Sequence, residues 1–229
     1  MFKHYIFTRW NLLDKDTTIY NNPAVKDPEE WTKHRAKLFK RTLESVMLQT
    51  CTDFTWLLAF AKETPQHITD ALKTFPHILI IREYPADWLR RIWHTRKGDW
   101  LITSRLDNDD VILPEYIETV QSYFDKTFKL VDVGGYQYDL ATKKHYDPDR
   151  AGCTSPFISL IEQVGTPWQS ISKDPKEAKL IEDPVKTVYY CSHSKMEWHF
   201  PSVKDKKRLY KMVIHDKNIS NKVTGHEIL

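Results

Sequence analysis

The chemistry-bearing residues of this sequence are most concentrated at Asp107-Asn108-Asp109-Asp110. Three carboxylates this close repel one another and raise one another's pKa. A cation removes that cost, and hard oxygen ligands favour Mn²⁺ or Mg²⁺ over zinc or copper. The spacing does not make an EF-hand. With Asp107 at position 1, Glu118 falls at position 12, but Val111 and Ile112 take positions 5 and 6, and position 6 needs glycine. Pro114 also sits inside that loop. A turn that only capped the next helix would need one aspartate, not three.

The elements that must position this turn follow from hydrophobic pattern. An apolar run at 100–106 reads as a strand leading into it, and Pro114 opens a helix after it, with Ile117, Val120, Tyr123 and Phe124 on one face. Upstream, 5–9 is a short strand. Asp27-Pro28-Glu29-Glu30 starts a helix running to about Gln49, with Trp31, Leu38, Leu43, Val46 and Met47 on its face and Arg35 and Phe39 nearby. Residues 54–60 and 77–82 are nearly all apolar, as in strands buried on both faces. A short helix at 65–75 and a Trp- and Arg-rich helix at 88–96 lie between the strands, and 129–133 is a further strand. Strands alternating with helices predict an α/β fold with a mostly parallel central sheet flanked by helices. Beyond Gly135 the pattern loosens: a hairpin at 136–146, a helix at 156–164, a polar loop at 169–184 and a strand at 187–191. The segment 208–215 is ambiguous between helix and strand.

Composition excludes several classes of protein. The 229 residues suit one domain or a domain with a small appendage, and 41% are apolar, enough for a sizeable core. Six glycines occur and the first is Gly98, which excludes a P-loop or dinucleotide fingerprint after the first strand. A net charge of +3, from 34 basic and 31 acidic residues, is too balanced for a nucleic-acid partner. No run of about 18 apolar residues exists to span a membrane, and the N-terminal apolar stretch is too short for a secretory signal. Cys51, Cys153 and Cys191 are odd in number and widely spaced, so they read as reduced thiols in a cytoplasmic protein, where the Asn218-Ile219-Ser220 sequon stays unglycosylated.

Several segments, in order, carry a family resemblance: IFTRWN (6–11), RAKLF (35–39) and LESVMLQT (43–50), DFTWLL (53–58), ITSRLDNDD (102–110), SPFISLIE (155–162) and VIHDKNISN (213–221). Together they resemble the rhamnosyltransferase family, itself similar to GT-A glycosyltransferases of the large family-2 type. The resemblance implies a GT-A fold in one domain, 1–229: a nucleotide-sugar-binding half at 1–112 and a smaller acceptor-side β/α portion at 113–229. It implies transfer of a sugar from a nucleotide-diphosphate donor to a glycan or lipid-linked acceptor, with rhamnose suggested by the family label and a peripheral membrane association left open. The implied metal ligands are Asp107 and Asp109, with Asp110 adjacent. One departure stands out. Family-2 enzymes often carry an Asp after the second strand, against the nucleotide base; here Ala59-Phe60-Ala61-Lys62-Glu63 has only Glu63.

Sugar transfer needs stabilisation of the leaving diphosphate, removal of the acceptor proton and exclusion of water. Arg105 pairs bidentately with phosphate or with the acidic turn beside it. Thr8, Arg9 and Asn11 end the first strand, where GT-A enzymes place the nucleotide, and Asn108 joins them as a donor contact. Glu162 and Asp132 are candidate general bases, Glu162 because a charge on an apolar segment needs a role or a partner. A late histidine often closes a GT-A metal site: His215 first, His193 second. Trp88, Trp93 and Trp168 are candidate faces for a sugar ring or ordinary core. A sugar nucleotidyltransferase would need a glycine-rich N-terminal loop. A non-catalytic carbohydrate- or partner-binding module and a metal-dependent hydrolase also compete with the transferase.

Overall fold

The computed structural model describes residues 1–148, 155–171, 180–216 and 222–228. Cys153, the sequon at 218–220 and residues 172–179 of the polar loop lie outside the described residues. The elements run β1 (Phe2–Arg9), α1 (Pro28–Met47), β2 (Thr55–Ala59), α2 (Gln66–Asp70), β3 (Ile78–Ile81), α3 (Pro85–Trp93), β4 (Trp100–Arg105), β5 (Val111–Ile112), α4 (Tyr116–Ser122) and β6 (Lys129–Asp139). They continue with β7 (His145–Asp147), β8 (Ile158–Gln163), β9 (Trp168–Gln169), β10 (Leu180–Ile181), α5 (Met196–His199), β11 (Ser202–Ile214) and β12 (His226–Ile228).

The expected α/β architecture is present. One central sheet has the order β12-β7-β6-β8-β4-β1-β2-β3, with β11 beside β6 and β5. Strands β3, β2, β1 and β4 are parallel to one another. Beyond β4 the sheet becomes mixed: β8 runs antiparallel between β4 and β6, and β11 runs parallel to β6. All four parallel strands come from residues 1–112, and β6, β7, β8, β11 and β12 come from 113–229, so one continuous sheet joins the two halves.

Side-chain alternation along the strands builds two cores. Ile6, Trp56, Leu58 and Ile102 face α1 and α4, packing with Phe39, Val46, Ile117 and Val120. Phe7, Leu57, Ala59 and Leu101 face α3 and α5, packing with Leu89, Trp93 and Met196. Helix α1 begins as its sequence dictates, with the Asp27 carboxylate accepting from Glu30 N at 2.9 Å and Pro28 in the first turn.

Three segments depart from the sequence reading, and one that it left ambiguous is resolved. Residues 158–163 form a strand, not a helix: a short apolar run reads equally as either, and here it fills the slot between β4 and β6. Residues 187–191 form a turn, with Thr187 at φ 65°. Strand β6 is longer than expected because it continues through Gly134 and Gly135, where a Cβ on Gly134 would lie 2.6 Å from the Lys207 carbonyl oxygen. The ambiguous 208–215 segment belongs to the long strand β11, whose partner β6 supplies a full edge of backbone groups.

Candidate functional site

Strand β4 stops at Arg105, and Leu106 keeps its pairing by donating to Phe7 O at 3.0 Å. Thr8 Oγ1 then donates to the Leu106 carbonyl at 2.8 Å, so the ends of β1 and β4 are tied together where the acidic turn begins. A backbone bond from Asp110 N to Asp107 O closes the turn. The turn lies outside the carboxyl ends of adjacent parallel strands, where open α/β sheets bind ligands.

The three carboxylates are separated by what each one meets. Asp107 receives the Arg105 guanidinium, with Nη2 at 3.0 Å from Oδ2. Burial pushes the Asp107 carboxyl up, and the charges of Arg105, Arg9 and His193 more than reverse this, holding it below the usual carboxylate range. Asp109 is buried and paired with Arg35 from α1, and its Oδ2 lies 3.0 Å from His215 Nε2. Asp110 accepts from Val213 N at 2.7 Å. Burial, with Asp109 and Asp107 nearby, pushes its carboxyl well above the ordinary range. Asn108 donates to the Trp10 carbonyl and accepts from Arg35 Nη1 at 3.3 Å. The mutual repulsion expected of this turn is therefore met by two guanidinium groups.

Around the turn stands a cationic and aromatic wall. Tyr189 stacks on Phe7 at 5.7 Å, and the Arg9 guanidinium lies over its ring at 5.2 Å. Burial pushes the Tyr189 phenol up to about 12, against the opposing charges of Arg9 and Arg105. Among the described residues, Arg9 Nε and Tyr189 Oη are buried without a hydrogen-bond partner. Orphaned donors of this kind carry a desolvation cost that a bound acceptor would relieve.

The sequence candidates divide by position. Thr8, Arg9, Arg105, Asp107, Asn108, Asp109 and His215 converge on the turn. Thr8 is fully buried and accepts from Trp56 Nε1 at 2.9 Å as well as holding Leu106, so it acts as a strut. Asn11 clamps the neighbouring loop: its amide donates to Thr64 Oγ1 and its carbonyl accepts from Ala61 N, both at 2.7 Å. Asp132 pairs in register with Ile158, which adjoins Ser159 opposite Ser104, so it lies near the level of Arg105 two strands across. It is 2% exposed and accepts from Ser155 N.

Glu162 is a correction. It sits opposite Leu101, toward the start of β4, while the acidic turn follows the end of that strand. Its carboxylate accepts from Lys186 N and Thr187 N at 2.7 and 2.8 Å. Burial raises its carboxyl, and those two donors partly hold it down. The partner its charge required is thus backbone, and it braces the turn at Thr187 rather than facing the site. The tryptophans are likewise packed: Trp93 is 3% exposed, Trp88 packs on the α3-side core and Trp168 stacks on Phe128 at 4.4 Å.

Sequence reasoning missed Arg35, His34 and Tyr189 as site residues. His34 stands beside Arg35 on α1, its ring 5.2 Å from that of His215. His34, His215 and Asp216 each place a ligand atom within 4.8 Å of the others, the grouping of metal-ligating side chains found among the described residues. No helix among the described residues is long and apolar enough to cross a membrane.

The family described as "Putative rhamnosyl transferase" matches residues 14–140. None of the curated proteins matches the chain. Among solved structures, S. aureus TarS 1-349 aligns with 93% of this chain and 60% of its own, at 11% identity and a TM-score of 0.48. HddC from Yersinia pseudotuberculosis aligns over 92% of each chain at 14% identity and a TM-score of 0.35. The chain thus spans three fifths of the TarS 1-349 length.

Proposed function

The chain belongs to the rhamnosyl transferase family, and from that premise and the site we propose that it is a metal-dependent glycosyltransferase. In this reading it has a GT-A arrangement and uses a nucleotide-diphosphate sugar, with rhamnose as the sugar the family name suggests. The observation that carries the reading is the pairing of an acidic turn with two buried, unpartnered donors, Arg9 Nε at the end of β1 and Tyr189 Oη on the ring that Arg9 covers. Cation ligands and anion-binding donors side by side suit a metal-bound diphosphate.

Two carboxylates and an imidazole are donor types that a divalent cation takes, so Asp107, Asp109 and His215 are the residues that would hold it, once Asp107 and Asp109 leave Arg105 and Arg35. When bound, a divalent ion supplies Lewis-acid neutralisation of the leaving diphosphate, an effect of several kcal/mol. The chain's own groups do the rest. Arg9 and Arg105 bind the phosphate oxygens, Arg105 by exchanging Asp107 for phosphate, since a guanidinium fork suits either. Tyr189 donates its phenolic proton as a hydrogen bond and keeps it, because burial opposes ionisation. Asp132, near the same end of the sheet, is the carboxylate placed to take the acceptor's proton.

A panel of nucleotide sugars, with and without Mn²⁺, tests this by thermal shift, since a ligand of the folded state stabilises it by mass action. Metal-dependent stabilisation by nucleotide diphosphates is expected, and Asp109→Ala should abolish it. Indifference to every nucleotide would favour a partner-binding module instead.

A further inference from the structure

We propose that His34, His215 and Asp216 form a nitrogen-rich cation site that selects a transition-metal ion over magnesium. The site stands on geometry, and only its use in sugar transfer rests on the reading above. His34 and Arg35 are neighbours on α1, so the helix that neutralises Asp109 also brings an imidazole to the turn. His215 directly follows β11. One ligand atom from each of the three residues lies within 4.8 Å of the others. Ligands at about 2.1 Å on a tetrahedral ion are roughly 3.4 Å apart, so side-chain shifts on the order of 1 Å complete the set.

A further contact orients it. His215 Nε2 is already held by Asp109 Oδ2 at 3.0 Å. Metal-ligating histidines characteristically donate their other ring N–H to a carboxylate, which fixes the tautomer and the ring direction. In this arrangement His215 serves the site with His34 and Asp216 in place of the set with Asp107 and Asp109, and Asp109 is a positioning residue anchored by Arg35. Burial falls from His215, buried, through His34, half-buried, to Asp216, exposed, so the set opens toward solvent. Three protein ligands and an open side leave room for water or a substrate oxygen. Two imidazoles and one carboxylate suit Mn²⁺, Co²⁺ or Zn²⁺, whereas Mg²⁺ prefers oxygen and retains its waters.

The test is titration of the full chain with Co²⁺, followed by its visible absorption, and with Mn²⁺, followed by electron paramagnetic resonance, both without nucleotide. His34→Gln and Asp216→Asn, on the more exposed ligands, avoid the folding risk of changing His215. Each should weaken Co²⁺ binding at least tenfold, while His67→Gln, on exposed α2, should leave it unchanged. Mg²⁺ at equal concentration should compete poorly. Equal Co²⁺ affinity in wild type and both variants, or Mg²⁺ binding as tightly as Co²⁺, would overturn the site. Nucleotide sugars separate this from the transferase reading. A chain that binds Co²⁺ through His34 but no nucleotide keeps the site and loses the transferase. A chain that binds nucleotide sugar with Mn²⁺ but shows the same Co²⁺ affinity before and after His34→Gln does the reverse.

Discussion

Replacing Arg35 with methionine is the sharpest probe of how the acidic turn is held. The Arg35 and Asp109 side chains are each 8% exposed, so their pairing is a buried one. Methionine retains the apolar stem near Trp31, over whose ring the guanidinium lies at 5.1 Å. The loss is therefore mainly of charge and hydrogen bonds, including the bond to Asn108. Removing one partner of a buried pair strands the other charge and costs about 3–5 kcal/mol. At a urea slope of about 3 kcal/mol per molar, the unfolding midpoint should fall by about 1–2 M. Adding Asp109→Leu should recover part of the loss, because an apolar pair of similar volume is often neutral. The assay is urea unfolding of the wild type, both single variants and the double variant, with the coupling read from the cycle. A cost below about 1 kcal/mol for Arg35→Met, the level of an exposed pair, would refute the claim that a guanidinium offsets a desolvated carboxylate here.

Three further outcomes follow from individual groups. His4 is buried, with Nε2 bonded to Ser104 Oγ at 2.7 Å, and burial lowers its pKa from 6.5 to about 3. Its contribution is complete above 6.5 and is lost as pH falls toward 3, so by pH 5 it should cost about 2 kcal/mol at 1.36 kcal/mol per unit. His4→Gln should flatten the fall in stability between pH 6.5 and 5 by that amount in denaturant titrations. Glu162→Gln should lower stability by about 1–3 kcal/mol, because the amide satisfies only one of the two backbone donors, and should weaken nucleotide-induced stabilisation less than Tyr189→Phe does; the opposite pattern would return Glu162 to the site. Tyr189→Phe removes an orphaned hydroxyl, so stability should hold or rise, while calorimetric affinity for the nucleotide diphosphate falls at least tenfold, the loss of a hydrogen bond to a charged group worth about 1.5–3 kcal/mol.

The parallel strands were legible because residues 54–60 and 77–82 are short, almost wholly apolar and bounded by polar stretches, a pattern that leaves little but a buried strand. The acidic turn was legible because a strand must end before such a run of charge. Less was readable where the same apolar signal serves two structures, as at 158–163, which only its neighbours β4 and β6 decide. Arg35 left a trace in the sequence: four residues after Trp31 and four before Phe39, it lies on the apolar stripe of α1, where an arginine needs a counter-charge. That the counter-charge is Asp109, 74 residues away, is a fact of packing and not of spacing. Tyr189 left none, since its setting depends on a turn braced by Glu162 from another strand.

The reason for a metal changes once the arginines are seen. Repulsion within the turn is not what calls for an ion, because Arg105 and Arg35 already face Asp107 and Asp109. Asp110 resists ionising beside them, because burial and the charges of Asp109 and Asp107 push its carboxyl well above the ordinary range. With Arg9 included, the site is already balanced or slightly positive, so a divalent cation arriving alone must compete with guanidinium groups for the same carboxylates. A diphosphate arriving alone gains the arginines but leaves the carboxylates facing it. Together they exchange partners without a net excess, the ion taking carboxylate oxygen and the freed guanidiniums taking phosphate. On the proposed reading, then, ion and nucleotide each strengthen the other's binding by the same factor, as linkage requires. The metal requirement expected in the nucleotide panel is in that sense a statement about charge balance among three arginines and three aspartates, and not about the aspartates alone.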